Sequence, residues 1–456
     1  MTSDATPNAL SWNADVLSMY QRLLPAEFFQ ELSPLPATRH NNRVYTFPVV
    51  MWLMIGQRLG GCTSLESAVL QLLRGLPTTF WPKPCGRMQR WQQVPLSSHT
   101  GAYNKARQRL PLTVVQQSSD RIFEQLTAAS DGRVPTIGRR VFFFDGTSVR
   151  LAHSDELCQS YPPASNSNGD SHWPVIRMLV AHDLQSGLAM RPEWGPMYGA
   201  RAVSEQRLFE ISIKRLPRRS VVVGDANFGV FSVAYTTVQH GHDAVLRLTQ
   251  QRAQHLAGGP LRDGTDRQID WRPSRDDRRS HPDLPAEACV RGRLIVRQVQ
   301  PNDGAAPFLL ALFTTLDLAV DEVLKLYGLR WNIETDLRSL KSTLQLEQLT
   351  CSTPEMVAKE LNLAMAAYNL VRAVTCLASQ QTGVPPRGYS FTRVRNVINA
   401  FTPLIVAAQN PREAQQHFDR MMYYVQQAKL PHRNRKRPSY PRAIWPRGES
   451  FPKRKA

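Results

Sequence analysis

The sequence LKLYGLRWNIETDLRSLK, residues 324–341, predicts one helix with a buried face and a polar face. Apolar residues recur at three- and four-residue steps and define the buried face: Val323, Leu326, Ile333, Leu337, Leu340 and Leu344. On a helix of about 3.6 residues per turn, the polar residues also fall near one line. They are Tyr327, Arg330, Glu334 and Lys341. A carboxylate beside groups that can contact phosphate suggests a catalytic site, although an ordinary Arg330–Glu334 surface pair, worth about 0.2–0.5 kcal/mol, is the simpler interpretation.

Two further carboxylates follow strongly apolar stretches. Residues 141–144 precede Asp145-Gly146-Thr147, and three valines and a glycine precede Asp225. Both stretches predict buried strands that end in a turn, where a turn-forming aspartate is a common alternative to a functional one. A carboxylate in such a place is costly to bury unless it is paired or metal-bound. If both aspartates converge with Glu334, the three could hold two Mg²⁺ ions roughly 3.5–4 Å apart, an arrangement that supports phosphoryl transfer.

The segments around these carboxylates predict a mixed α/β sheet. Strands are predicted at residues 141–144, 174–184, 188–197, 220–224, 244–248 and 308–315, with helices at 202–216 and 231–238. Further helices are predicted at residues 356–377, 391–401 and 412–429. The predicted organisation is a helical N-terminal domain (1–135), an α/β domain (136–385) with a β-rich insertion (249–306), a C-terminal helical region (386–430) and a basic, proline-rich tail (431–456).

The charge of the chain favours a polyanionic partner. Lys and Arg number 56 against 37 Asp and Glu, which gives a net charge of +19. Nucleic acid is the usual partner of such a chain, and a basic protein without a specific partner is the alternative. The predicted N-terminal domain contains a basic helix with Lys105, Arg107 and Arg109, for which we expect either DNA contact or an ordinary solvated face.

Several other classes are not indicated. The six cysteines are scattered and no pair has CxxC spacing, so neither a zinc site nor a disulfide framework is expected. The longest apolar run, residues 44–56, is too short to span a bilayer, and no signal pattern is apparent at the N-terminus. We therefore expect a soluble, cytoplasmic protein without a membrane partner.

Three motifs resemble those of bacterial cut-and-paste transposases of the insertion sequence 4 family. The motifs are Asp145-Gly146-Thr147, Gly224-Asp225-Ala226-Asn227-Phe228 and Tyr327-x2-Arg330-x3-Glu334-x6-Lys341. The resemblance extends from about residue 139 to residue 372 and includes Glu360 and residues 368–372. It implies a ribonuclease H-like catalytic core and a DNA transposase that cleaves at terminal inverted repeats and joins 3′-OH ends to target DNA.

The resemblance also implies roles for individual residues. Asp145, Asp225 and Glu334 would be catalytic and bind two Mg²⁺ ions, for which Mn²⁺ substitutes. The DNA phosphates would be held by Tyr327, Arg330 and Lys341. The partners would be double-stranded DNA and a second copy of the chain in a paired-end complex, in the bacterial cytoplasm at the nucleoid. Whether cleavage passes through a DNA hairpin stays open.

Two tryptophans and one substitution complete the sequence-based predictions. Some relatives stack a flipped base on a tryptophan of the insertion, for which Trp271 is the candidate; a buried core tryptophan is the alternative. We expect Trp331 to be a packing residue. Ala226 stands where many relatives carry Arg or a similar polar residue, so no extra phosphate contact is expected there. A non-catalytic DNA-binding protein and a structure-specific nuclease are the competing functions.

Overall fold

The computed structural model describes residues 15–32, 44–81, 85–91, 94–130, 133–134, 137–166, 169–301 and 306–431. Almost all of the predicted basic tail, residues 432–456, lies outside these ranges.

The first part of the described chain is helical, as predicted. Its helices are α1 (Val16–Leu23), α2 (Ala26–Leu32), α3 (Phe47–Gly60), α4 (Leu65–Arg74), α5 (Gly86–Gln89), α6 (Gly101–Arg109) and α7 (Leu112–Ala129). Local signals set their ends. The Ser64 side chain accepts a hydrogen bond from the backbone N–H of Ser67 and begins α4, and Gly61, with a φ of 67°, ends α3. Nearly all of α3 is buried, so this helix is the centre of the N-terminal part.

The described strands form one mixed sheet. They are β1 (Arg133–Val134), β2 (Arg139–Arg150), β3 (Pro163–Asn166), β4 (Gly169–Asp183), β5 (Glu193–Pro196), β6 (Val221–Gly224), β7 (Asp243–Arg247), β8 (Asp266–Trp271), β9 (Val290–Val299) and β10 (Phe308–Thr314). The order across the sheet is β3-β4-β2-β6-β7-β10-β9-β8, with β1 on β2 and β5 on β4. Strands β2, β6 and β7 run parallel, and the other pairs are antiparallel. The predicted mixed α/β sheet is confirmed.

The remaining helices cover the sheet and complete the core. They are α8 (Asp155–Ser160), α9 (Glu205–Ser212), α10 (Phe231–Gln239), α11 (Gln250–Ala257), α12 (Arg275–Ser280), α13 (Val320–Gly328), α14 (Trp331–Arg338), α15 (Pro354–Thr382), α16 (Phe391–Ala407) and α17 (Pro411–Gln426). Strands β8 and β9 lie within the predicted β-rich insertion, residues 249–306. They extend the main sheet through β10, and α11 and α12 accompany them.

Helix α15 is the central helix of the molecule. Every residue from Val357 to Ala378 is buried, and α3 and α7 pack against this helix. Among the described residues, α15 alone is long and apolar enough to cross a membrane by length and composition, but its apolar window is entirely buried inside the fold. Such burial is what the core helix of a globular fold shows.

Three sequence-based boundaries are wrong. Strand β2 does not end at Asp145 but continues to Arg150, because β4 pairs with it from residue 142 to residue 150. The strand predicted at residues 188–197 is reduced to β5. The helix predicted at residues 324–341 is broken: the backbone N–H of Arg330 donates to the carbonyl of Tyr327 at 3.0 Å in a tighter turn between α13 and α14, and Ser339–Thr343 form a π-helical turn. The six apolar residues of this stretch are nevertheless all buried, as predicted.

Candidate active site

The sheet brings Asp145 and Asp225 together. Parallel strands β2 and β6 pair Phe143 with Val223, and each aspartate lies two residues further along its strand. Side chains two residues apart point to the same face, and neighbouring strands lie about 4.7–4.9 Å apart. The two carboxylates therefore lie side by side at the end of β6, both half-buried.

The electrostatics of Asp145 agree with this placement. Burial, and then the neighbouring Asp225 carboxylate, raise the pKa of Asp145 to about 6. The Arg330 guanidinium and the backbone N–H of Gly146, which donates to Asp145 Oδ1 at 2.9 Å, oppose this rise. The two carboxylates repel each other, so a bound cation would be stabilised between them.

Glu334 reaches this region on α14. Its side chain is 41% exposed, and its Oε1 atom lies 3.6 Å from Nη2 of Arg330. The same guanidinium opposes the rise in the pKa of Asp145, so Arg330 lies near both Glu334 and Asp145. The simple ion pair considered from the sequence is therefore present, and its arginine lies near the half-buried Asp145 carboxylate.

The carboxylates suit a hard cation by their chemistry, because Mg²⁺ prefers oxygen ligands. The mutual repulsion of Asp145 and Asp225 points the same way. Within the described ranges, however, no three His, Cys, Asp or Glu side chains form a group that could hold a metal ion. Asp145 and Asp225 are therefore adjacent ligand candidates, and Glu334 has to approach them, away from Arg330, to join a metal site.

The other two residues of the polar face are less open than the sequence suggests. Tyr327 is buried, and burial raises the pKa of its hydroxyl, while Arg330 and Arg247 oppose the rise. Lys341 lies in the π-helical turn, where its Nζ atom is 3.1 Å from a carboxylate oxygen of Glu347. Lys341 and Arg330 thus both have carboxylate partners that a DNA phosphate would have to replace.

Two functional neighbours were missed from the sequence. Glu205, the first residue of α9, lies close enough to Asp145 to raise the pKa of that carboxyl further. Asp336 follows Glu334 by two residues and is fully buried. Neither residue has a distinctive local pattern: Glu205 reads as an acidic residue in a first helical turn, and Asp336 reads as a polar residue between apolar ones.

Asp336 anchors α14 to the core. Its carboxylate accepts hydrogen bonds from Arg372 Nη2 at 2.5 Å and Arg387 Nη1 at 2.7 Å, and it lies 3.6 Å from His182 Nδ1. Burial alone would raise the pKa of Asp336, but Arg387 and Arg372 hold it below its usual value. The Arg372 guanidinium also donates to the Tyr368 hydroxyl at 2.9 Å. Residues 368–372 therefore act here as the support of the helix that carries Glu334.

Two tryptophans differ in burial from what their predicted roles require: Trp271 is buried and Trp331 is exposed. Trp271, the candidate for base stacking, is only 4% exposed, and its ring lies 4.9 Å from that of Phe313 and 6.1 Å from that of Phe231. This arrangement supports the core alternative. Trp331, expected to be a packing residue, is 66% exposed, with the Arg330 guanidinium 5.4 Å from its ring centroid. It begins α14, and no larger helix or strand covers it among the described residues.

The basic helix α6 divides its three candidates. Lys105 and Arg109 are exposed and available to DNA. Arg107 is buried and forms an ion pair with Glu360 on α15, which also pairs with Arg58 of α3. Arg107 therefore joins the N-terminal helices to α15, and its buried position supports a structural role instead of the expected DNA contact.

Comparisons with known proteins identify the family of the chain. Residues 136–370, just over half of the chain, match the family model described as the transposase DDE domain. The chain is 25% identical over 358 residues to the transposase InsG for insertion sequence element IS4 from Escherichia coli (strain K12), and the match covers 76% of this chain and 77% of that protein. The predicted resemblance is confirmed, and the chain belongs to the insertion sequence 4 family of DDE transposases, nucleic-acid-processing enzymes that act on DNA.

Proposed function

We propose that this transposase works by cut and paste: it cleaves DNA at terminal inverted repeats and joins the freed 3′-OH ends to target DNA. The observation that carries the proposal is the side-by-side placement of Asp145, on β2, and Asp225, directly after the parallel strand β6, near the Arg330–Glu334 pair. The net charge of +19 supports a DNA substrate.

In this proposal Asp145, Asp225 and Glu334 hold two Mg²⁺ ions, and Mn²⁺ replaces them. DDE transposase domains generally use divalent metals. When bound, the ions supply charge stabilisation for the attacking and leaving oxygens of the phosphoryl transfer. Bound ions would favour the ionised form of Asp145, whose pKa burial and Asp225 raise to about 6.

The protein's own cations position the substrate. Arg330 lies beside Glu334 and exchanges this carboxylate for a DNA phosphate, which a guanidinium can bind through two hydrogen bonds. Lys341 makes the same exchange from Glu347, as a point charge. Tyr327 is buried beneath this face of the helix and supports the side chains that would contact the phosphates. Each cation thus changes a carboxylate partner for a phosphate when DNA arrives.

Three further parts complete the proposal. The mixed sheet with catalytic aspartates on adjacent parallel strands supports a ribonuclease H-like core. Cleavage of two transposon ends by one reaction centre per chain supports a homodimer in the paired-end complex. We place the protein at the nucleoid of the bacterial cytoplasm, where its DNA substrate lies. A hairpin intermediate is compatible with this scheme and is part of the test below.

The experiment is an in vitro assay with the element's ends, purified protein and Mg²⁺. We expect Glu334→Gln to bind the ends as the wild type does but to cleave them at least roughly 100-fold more slowly, the equivalent of ~3 kcal/mol in the transition state. Glu322→Gln, in the first turn of α13, is the matched control and should cleave normally. Cleavage at the wild-type rate by Glu334→Gln would remove this residue from the site.

The products separate the competing functions. Cutting without joining would favour a structure-specific nuclease, and end binding by the wild type without cutting in either Mg²⁺ or Mn²⁺ would favour a non-catalytic DNA-binding protein. Either result would overturn the proposal. Denaturing gels of the excised ends show whether hairpins form.

A further inference from the structure

The Glu205 side chain lies against Gly146, the residue that follows Asp145. A Cβ atom added to Gly146 would lie 2.0 Å from Glu205 Oε1, so the Glu205 carboxylate sits directly against the backbone that follows Asp145. The Ser204 side chain, which accepts a hydrogen bond from the backbone N–H of Arg207 at 3.1 Å, fixes the start of α9 and thus the position of Glu205. The glycine at position 146 therefore leaves room for this carboxylate, which would have to shift if a side chain were added there.

The other oxygen of Glu205 contacts the turn that carries Asp225. Asn227 Nδ2 donates to Glu205 Oε2 at 2.5 Å. The neighbouring Gln206 donates from Nε2 to the Asn227 carbonyl at 2.7 Å and to Asn227 Oδ1 at 3.1 Å. The backbone N–H of Asn227 in turn donates to Asp225 Oδ1 at 2.9 Å. One residue pair at the start of α9 thus holds the turn after β6 by three hydrogen bonds.

We propose that Glu205 is a positioning residue, which joins the Asp225 turn to the β2 backbone at Gly146 and so sets the separation of the two aspartates. The proposal rests on the proposed role of Asp145 and Asp225 as metal ligands. In other metal sites, mutation of a residue that orients a metal ligand through a hydrogen bond lowers metal affinity or activity by roughly 10–100-fold.

The alternative is that Glu205 only stabilises the start of α9. An acidic residue in a first helical turn does so through the helix dipole, whatever its neighbours are. That alternative requires neither the glycine at position 146 nor the amide of Asn227. The contacts of both carboxylate oxygens with the two aspartate-bearing segments are therefore what distinguishes the positioning role.

The test compares Glu205→Ala, Asn227→Ala and Glu205→Gln with Glu210→Gln. Glu210 lies on the same helix, pairs with Arg207 at 2.6 Å and serves as the matched control. In metal-free protein, we expect Glu205→Ala and Asn227→Ala to accelerate amide hydrogen exchange in the peptide that spans Asp225 to Gly229. Glu205→Gln keeps an oxygen acceptor for Asn227 and should exchange nearly as the wild type does.

The second readout is Mn²⁺ affinity, measured by calorimetry on the full chain without DNA. We expect Glu205→Ala and Asn227→Ala each to weaken binding roughly 10–100-fold, the double variant to be no weaker than either single one, and Glu205→Gln to stay within about threefold of the wild type. Gly146→Ala, which displaces the carboxylate, should behave like Glu205→Ala.

Three results would overturn the inference, and they differ from a failure of the proposed function. Unchanged exchange in Glu205→Ala would show that no such contact holds the Asp225 turn. Wild-type Mn²⁺ affinity in Glu205→Ala would show that the contact does not position the ligands. Equal losses in Glu205→Gln and Glu205→Ala would show that Glu205 acts through its charge. A different result would be that the wild type binds no Mn²⁺ while amide hydrogen exchange still accelerates in Glu205→Ala and Asn227→Ala. The proposed metal site would then be wrong, but the contact between Glu205 and the Asp225 turn would stand.

Discussion

Replacing Asp336 by asparagine should unfold the protein at a much lower temperature. Asp336 is fully buried and is the shared carboxylate of Arg372 and Arg387. Asparagine has nearly the same shape but no charge, so both guanidiniums would lose their counter-ion. The Arg372 side chain is 4% exposed and that of Arg387 is 15% exposed, so neither could turn to water without disturbing the fold.

The magnitude follows from the burial of the cluster. Removing one partner of a buried ion pair costs about 3–5 kcal/mol, because an uncompensated charge is left in a medium of low dielectric constant. For a domain of 150–250 residues, each kcal/mol shifts the unfolding midpoint by about 2–4 °C. We therefore expect a decrease of roughly 6–20 °C in the midpoint of thermal unfolding.

The assay is thermal unfolding of metal-free protein at neutral pH, followed by circular dichroism. Asp276→Asn is the control: its pair with Arg279 is exposed at both ends, so we expect a change within about 0.5 kcal/mol. The double variant Asp336→Asn with Arg387→Gln should lose less than the sum of the single losses, because one unpaired cation is removed. A midpoint unchanged by Asp336→Asn, or strictly additive losses, would refute the reasoning.

Three other predictions follow from burial and charge. Trp271→Ala should cost about 3–5 kcal/mol of stability and Trp331→Ala at most about 0.5, as measured by urea unfolding; equal losses would contradict the observed burial. Burial lowers the pKa of His182 from 6.5 to about 4. As the pH falls, His182 is therefore protonated in the unfolded chain before it is protonated in the folded protein. The stability contributed by neutral His182 should therefore be fully present above pH 6.5 and be lost as the pH falls towards 4. His182→Leu should reduce this loss, as measured by urea unfolding at pH 7 and pH 5. An unchanged pH dependence in the variant would exclude His182 as its source. Arg109→Ala should reduce the slope of log Kobs against log salt by about 1 in fluorescence-anisotropy titrations with the DNA ends, whereas Arg107→Ala should mainly destabilise the fold; an unchanged slope would place Arg109 outside the interface.

The sequence alone was sufficient for the family and the mixed α/β class of fold. The run of apolar residues before Asp225 predicted β6, which ends at Gly224 as expected. The spacing from Tyr327 to Lys341 and the apolar residues alternating with it predicted which side of the helix is buried. These features depend on neighbours within a few residues, and periodicity reports them directly.

Tertiary structure alone decided which of these residues meet. Strand β2 passes beyond Asp145 because β4, more than 20 residues later, continues to pair with it. Glu205 is positioned by its contacts with Gly146 and Asn227. Asp336 is positioned by its ion pairs with Arg372 and Arg387. The sequence contains each of these residues, but no local period relates them.

The same reason explains why the environments of Arg107, Trp271 and Trp331 could not be predicted from the sequence. The local sequence predicts that a basic residue on an amphipathic helix is exposed. Arg107 is buried because its partner Glu360 comes from a distant segment of the chain. A tryptophan reads alike in a core and on a surface, because its burial depends on which side of an element the rest of the chain covers. Local pattern thus determined the elements and their faces, and long-range packing determined the environment of each charged or aromatic side chain.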